Sequence, residues 1–98
     1  MGVSIHKGAD GATYILPDER FDFSCYSEIH GALEDAKDVI FDLRNATYMD
    51  SSALGMLHLA REKSITRGRA VRIINAGGQP AQVLKMANFQ KLFDIQWR

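Results

Sequence analysis

The 98 residues carry 12 basic and 12 acidic side chains and are 46% apolar, enough for one small domain and no second core. A net charge of zero argues against a general nucleic-acid binder, which needs a basic excess over the phosphate backbone. A single cysteine, Cys25, excludes an internal disulfide and a thiolate zinc cluster. No apolar run approaches the length of a membrane span, and no basic region followed by an apolar stretch marks a signal peptide, so the expectation is a cytoplasmic protein without membrane insertion.

Residues 3–6 and 13–16 are apolar or alternating, with Gly8-Ala9-Asp10-Gly11 between them, a β-hairpin pattern that Pro17 should end. Ser24 is a plausible N-cap for a helix over 25–36, in which Ile29, Ala32, Leu33 and Ala36 form the apolar stripe. Val39-Ile40-Phe41-Asp42-Leu43 has almost no polar interruption, the pattern of a parallel strand covered on both faces and hence of a three-layer arrangement.

A short loop then leads to Tyr48-Met49-Asp50-Ser51-Ser52-Ala53-Leu54-Gly55-Met56-Leu57. Apolar residues recur at Ala53, Met56, Leu57 and Ala60, so a helix runs over 51–65, and Asp50 or Ser51 can accept from the free amides of its first turn. Those amides and the positive end of the dipole suit an added phosphate. Thr66-Arg67-Gly68 supplies the stop, residues 71–74 a further strand, and Ala76-Gly77-Gly78-Gln79-Pro80 a turn with Pro80 suited to the first helical position. Val83, Leu84, Met86 and Ala87 carry a third helix, and Phe93-Asp94-Ile95-Gln96-Trp97 alternates as a last strand. The fold class is therefore α/β: a mixed, mostly parallel sheet with an N-terminal hairpin and about three helices.

Several chemistries are excluded on spacing. Ser51 and His58 stand seven residues apart on one helix, roughly 10 Å along its axis, too far for a nucleophile and its base. His58 is expected on the solvent face, paired with Glu62 one turn later, and His6 and His30 lie on other elements. Gly77-Gly78 lacks the Lys and Ser/Thr of a phosphate-binding loop and reads as a turn. Neither a cofactor nor a metal is implied, and the expectation is a protein that is not an enzyme. Arg61, Lys63, Arg67, Arg69 and Arg72 are the one basic concentration, read as helix-end and strand-edge charges or as a surface for an acidic partner. Gly55 inside a helix costs about 1 kcal/mol relative to Ala, which invites a close approach by a partner or by the protein's own sheet.

The Tyr48-Met49-Asp50-Ser51-Ser52-Ala53-Leu54-Gly55 segment resembles the signature of STAS domains, the fold of bacterial anti-sigma factor antagonists, and the order of elements along nearly the whole chain fits that family. The resemblance implies that Ser51 is the phosphorylation site, modified by a partner kinase that is often the anti-sigma factor itself and reset by a serine phosphatase. It implies a partner-binding surface of Asp22, Asp50, Ser51, Ser52, Gly55 and His58, with no nucleic acid involved. Glu19-Arg20-Phe21-Asp22 stands where the family commonly has Gly-Glu-Leu-Asp, so Asp22 matches while the Gly and Glu do not. An alternative from the same family is a subunit of a lipid or anion transport complex, in which the serine need not be phosphorylated.

Overall fold

Val39–Asp42 (β4) is buried at every residue and forms the middle of a five-stranded sheet in the computed structural model, which describes residues 2–98. Its neighbours are Thr13–Pro17 (β2) and Val71–Ala76 (β6), both parallel to it. Val3–Lys7 (β1) pairs antiparallel with β2, and Asp94–Trp97 (β7) runs parallel to β6, giving the order β1-β2-β4-β6-β7. The expected hairpin is therefore present, turned by Gly11 at φ 85° and by Asp10, whose carboxylate accepts from the Ala12 amide at 3.0 Å. Pro17 is the last residue of β2, opposite Val3.

Three helices connect the parallel strands: Tyr26–Leu33 (α1), Ser51–Thr66 (α2) and Gly78–Met86 (α3). From β2 the sheet grows in one direction through β4 and β6 to β7, and crossovers between parallel strands are almost always right-handed. Crossovers of one hand, laid down in one direction, place all three helices on the same face. Ile29 and Leu33 of α1, Met56 and Leu57 of α2 and Leu84 of α3 accordingly share a single core with Ile15, Val39, Phe41 and Ile73. Ile40, on the other face of β4, is buried yet lies outside that core, flanked in register by Tyr14 and Arg72. The arrangement has two layers, not the three expected from the apolar run of β4. Lateral strands and neighbouring side chains, rather than a second helical layer, keep that run from water.

Asp42 also lies on the open face, only 2% exposed. Burial pushes its carboxyl up, but the Arg44 side chain, Asn75 and the Arg44 amide outweigh that and hold it below the usual range. Asn75 stands at φ 59° near the end of β6, so this network ties together the ends of β4 and β6.

Helix ends differ from expectation in three places. Asp22, not Ser24, caps the start of the α1 region, where a 3₁₀ turn over Phe23–Cys25 precedes the α-helix. The helix stops at Leu33, because the Arg67 guanidinium takes the carbonyls of Leu33 (2.8 Å), Glu34 (2.6 Å) and Ala36 (3.3 Å). Arg67 thus ends its own helix in a Gly68 turn at φ 68° and caps another. Finally, α3 begins at Gly78, so Pro80 is its third residue rather than its first.

Candidate functional site

Two short strands, absent from the sequence expectation, build the site. Arg20–Phe21 (β3) and Tyr48–Met49 (β5) pair in parallel, Arg20 beside Tyr48 and Phe21 beside Met49. Phe21 and Met49 are buried, which anchors the pair to the core. One further step in that register places Asp22 beside Asp50.

The two aspartates use the same device. Asp22 has φ −138° and ψ −167°, and Asp50 has φ −133° and ψ −171°. The Asp22 carboxylate accepts from the Ser24 amide (3.0 Å) and hydroxyl (2.6 Å). The Asp50 carboxylate accepts from the Ser52 amide (3.0 Å), the Ser52 hydroxyl (2.5 Å) and the Ala53 amide (3.3 Å). Asp22-Phe23-Ser24 and Asp50-Ser51-Ser52 are thus twin caps, the first opening the 3₁₀ turn that leads into α1 and the second opening α2. In each, the middle residue stands in solvent: Phe23 at 68% exposure, and Ser51.

Of the two residues able to cap α2, Asp50 does so, and Ser51 is the first helical residue. The Ser51 hydroxyl has no hydrogen-bond partner among the described residues, whereas the Ser52 hydroxyl is committed to Asp50. Asp50→Ala is therefore expected to lower stability by about 0.5–2 kcal/mol. Ser51→Ala should stay within about 0.5 kcal/mol of the parent, as for a surface position. Urea melts of both variants check this, and a larger loss for Ser51→Ala would reassign the cap.

β5 is held from two sides. The Thr47 and Tyr48 amides both donate to the Glu19 carbonyl. On the other side, the Gln79 side-chain amide mimics a strand: its oxygen accepts from the Met49 amide (2.8 Å) and its nitrogen donates to the Met49 carbonyl (2.9 Å). Gln79, at the start of α3, thereby fixes the residue just before Asp50. Arg20 lies over the Tyr48 ring at 4.2 Å and pairs with Asp22 at 3.2 Å. The Ser24 hydroxyl and amide, with Arg20 adding to them, hold the Asp22 carboxyl below its usual range.

Asp22, Asp50, Ser51 and Ser52 are brought together at one end of the helical layer. Gly55 and His58 continue the exposed face of α2 from Ser51 at helical spacing. A Cβ on Gly55 would meet nothing within 4 Å, so the sheet does not explain the glycine. His58 does not pair with Glu62; its ring packs edge-on against Phe89, with centroids 4.9 Å apart. The Arg98 side chain packs closely on Gly77, where a Cβ would come within 2.6 Å of the Arg98 Nε. Among the described residues no group of three His, Cys, Asp or Glu side chains could hold a metal ion, and no helix is long and apolar enough to cross a membrane.

Sequence reasoning missed Phe23. The ring stacks on Tyr26 (5.3 Å), which in turn meets His30 (5.5 Å), forming an aromatic ladder in which Phe23 and Tyr26 are exposed. The available signal was the repeated Asp-X-Ser, visible once β3 and β5 are known to pair.

Residues 17–97 match the STAS domain family. A STAS-domain containing protein of Pseudomonas aeruginosa (strain UCBPP-PA14) is 34% identical over 97% of this chain and 99% of its own length. The anti-sigma factor antagonist SpoIIAA in its unphosphorylated form superposes with a TM-score of 0.74 at 12% identity, over 98% of this chain and 86% of its own. An anti-sigma factor antagonist from Mycobacterium paratuberculosis gives 0.80 at 14% identity, covering 96% and 83%. At these identities the two solved structures establish a common fold.

Proposed function

The chain belongs to the STAS domain family, and from that membership we propose that it is a phosphorylation-controlled partner-switching regulator. With Ser51 unmodified, it binds an anti-sigma factor or a serine kinase of the switch type. The surface used comprises Asp22, Asp50, Ser51, Ser52, Gly55 and His58, extended by Phe23. In this scheme the protein is substrate and ligand, not enzyme, and a serine phosphatase restores binding.

The observation that carries this reading is the difference between the two serines. Ser51 presents an exposed hydroxyl without a partner among the described residues, while the neighbouring Ser52 hydroxyl is tied to Asp50. A phosphoryl group on Ser51 adds about −1.5 to −2 charge. It would sit at a helix start, where the protein's own fold tolerates negative charge. Across a docked interface, beside the carboxylates of Asp22 and Asp50, the same charge would oppose an acidic or apolar partner face.

Incubation with lysate and ATP, followed by phosphopeptide mapping, tests the reading. The phosphate is expected on Ser51, and Ser51→Ala should abolish labelling while Ser52→Ala retains it. Full labelling of Ser51→Ala, with the phosphate on Ser52, would overturn the assignment.

Gly55 separates docking from stability. Gly55→Ala should raise stability by up to about 1 kcal/mol, because the added methyl stands in open space on a helix. The same methyl lies on the proposed docking face and should weaken partner binding. A variant that is more stable and binds equally well would remove Gly55 from the surface.

A further inference from the structure

The basic concentration of the α2–β6 region divides in two. Arg67 is consumed by the α1 carbonyls, Lys63 pairs with Glu34 and Arg72 pairs with Asp94. Arg61 and Arg69 have no carboxylate partner among the described residues, and both line a recess of about 230 Å³ at the carboxyl end of α2. Its wall includes Ser64, Ile65, Val71 and Leu92, and no acidic residue lines it.

Ser64 is the informative member. It is 4% exposed, yet its hydroxyl has no hydrogen-bond partner among the described residues. Among the described residues no fully enclosed polar side-chain atom lacks a partner, so the Ser64 hydroxyl keeps some solvent contact, and Ser64 is one of the residues that line the recess. The Arg61 Nε donates to the Leu92 carbonyl at 3.1 Å, which orients that guanidinium and leaves its terminal nitrogens available. At the mouth, Ile65 and Leu92 are 57% and 39% exposed, large apolar side chains beside two unneutralised cations.

We propose that this recess is a binding site for a small organic anion, a carboxylate or phosphate head on a short apolar stem. The head meets Arg61, Arg69 and the Ser64 hydroxyl, in the forked, charge-assisted geometry that guanidinium groups offer such anions. The stem lies against Ile65 and Leu92. The negative end of the α2 dipole opposes an anion, but its last carbonyls are already occupied. Ser64 accepts from the Arg67 and Arg69 amides, and Ile65 from the Gly68 amide. The recess is smaller than the cavities that enclose drug-sized ligands, which sets the size of the guest. Thirteen residues separate Ser64 from Ser51 along α2, roughly 20 Å, so this site is distinct from the proposed switch.

Titration of the full chain with phenyl phosphate, benzoate and neutral benzyl alcohol, followed by amide correlation spectra, tests the site. At least one of the two anions should give saturable shifts centred on Ser64, Arg69, Val71 and Leu92, with benzyl alcohol bound at least about tenfold more weakly. The tighter anion identifies the head group. Arg69→Gln, at an exposed position that leaves the fold intact, should weaken that anion by about tenfold or more, and Ser64→Ala by a smaller factor. Absence of saturable shifts there with both anions would overturn the proposal. So would equal binding of benzyl alcohol, or affinity unchanged in Arg69→Gln.

Discussion

Leu57→Ala is expected to lower the unfolding free energy by about 2–5 kcal/mol, the range for deleting a fully buried leucine side chain. Leu57 is 0% exposed and sits in the α2 stripe of Ala53, Met56, Ala60 and Ser64, all buried. Because the three helices share one face of the sheet, the core is a single layer, and α2 contributes Ala53, Met56, Leu57 and Ala60 to it. A cavity at Leu57 therefore opens within that close-packed cluster, which can collapse only partly into the space. Domains of this size are stable by about 5–15 kcal/mol in total, so the loss is a large share. Leu54→Ala, at a half-buried position on the same helix, should cost less. Guanidinium melts of the two variants beside the parent check the ranking. A milder effect at Leu57 would mean that the buried face of α2 is drawn wrongly.

Much of this helix was legible because its pattern is long. Ala53, Met56, Leu57 and Ala60 recur with the helical period over several turns, and Asp50-Ser51-Ser52 stands at the start where capping chemistry belongs. The apolar run of β4 likewise declared a central strand, but it misled about what covers it. Apolarity on both sides of a strand does not distinguish a second helical layer from flanking strands bearing Tyr14 and Arg72. Only the direction in which the sheet is built decides that.

The parts of the site that escaped are non-local. β3 and β5 are two residues each, too short for any periodicity, and their pairing spans a long stretch of chain. Without that pairing, the likeness of Asp22-Phe23-Ser24 to Asp50-Ser51-Ser52 has no spatial meaning, and nothing singles out Phe23. Gln79 reads as a turn residue until its amide is seen bridging Met49. Arg67 reads as the charge that ends α2, although its guanidinium reaches back to α1. His58 stands at the right spacing to pair with Glu62, but an aromatic ring from a distant element, Phe89, takes that place.

The second large effect concerns the switch. Phosphorylation of Ser51 should weaken binding to the kinase-type partner by at least about 30-fold, or ~2 kcal/mol. Ser51→Asp should do so less completely, since it brings one charge and fewer acceptor oxygens than phosphate. Ser51→Ala should bind constitutively. Repulsion and lost contact at the interface account for the change, so the free proteins should melt close to the parent. The helix start that carries the charge is stabilised by negative groups rather than strained by them. A fall in melting temperature that tracked the fall in affinity would point instead to damage of the fold around the twin caps.

The most direct measurement is calorimetric titration of the isolated partner against two forms of the protein: unmodified, and stoichiometrically phosphorylated at Ser51. Tight binding of the unmodified form and a loss of at least about 30-fold on phosphorylation are predicted. Equal affinity for the two forms would contradict partner switching and leave a transport-complex subunit as the better reading.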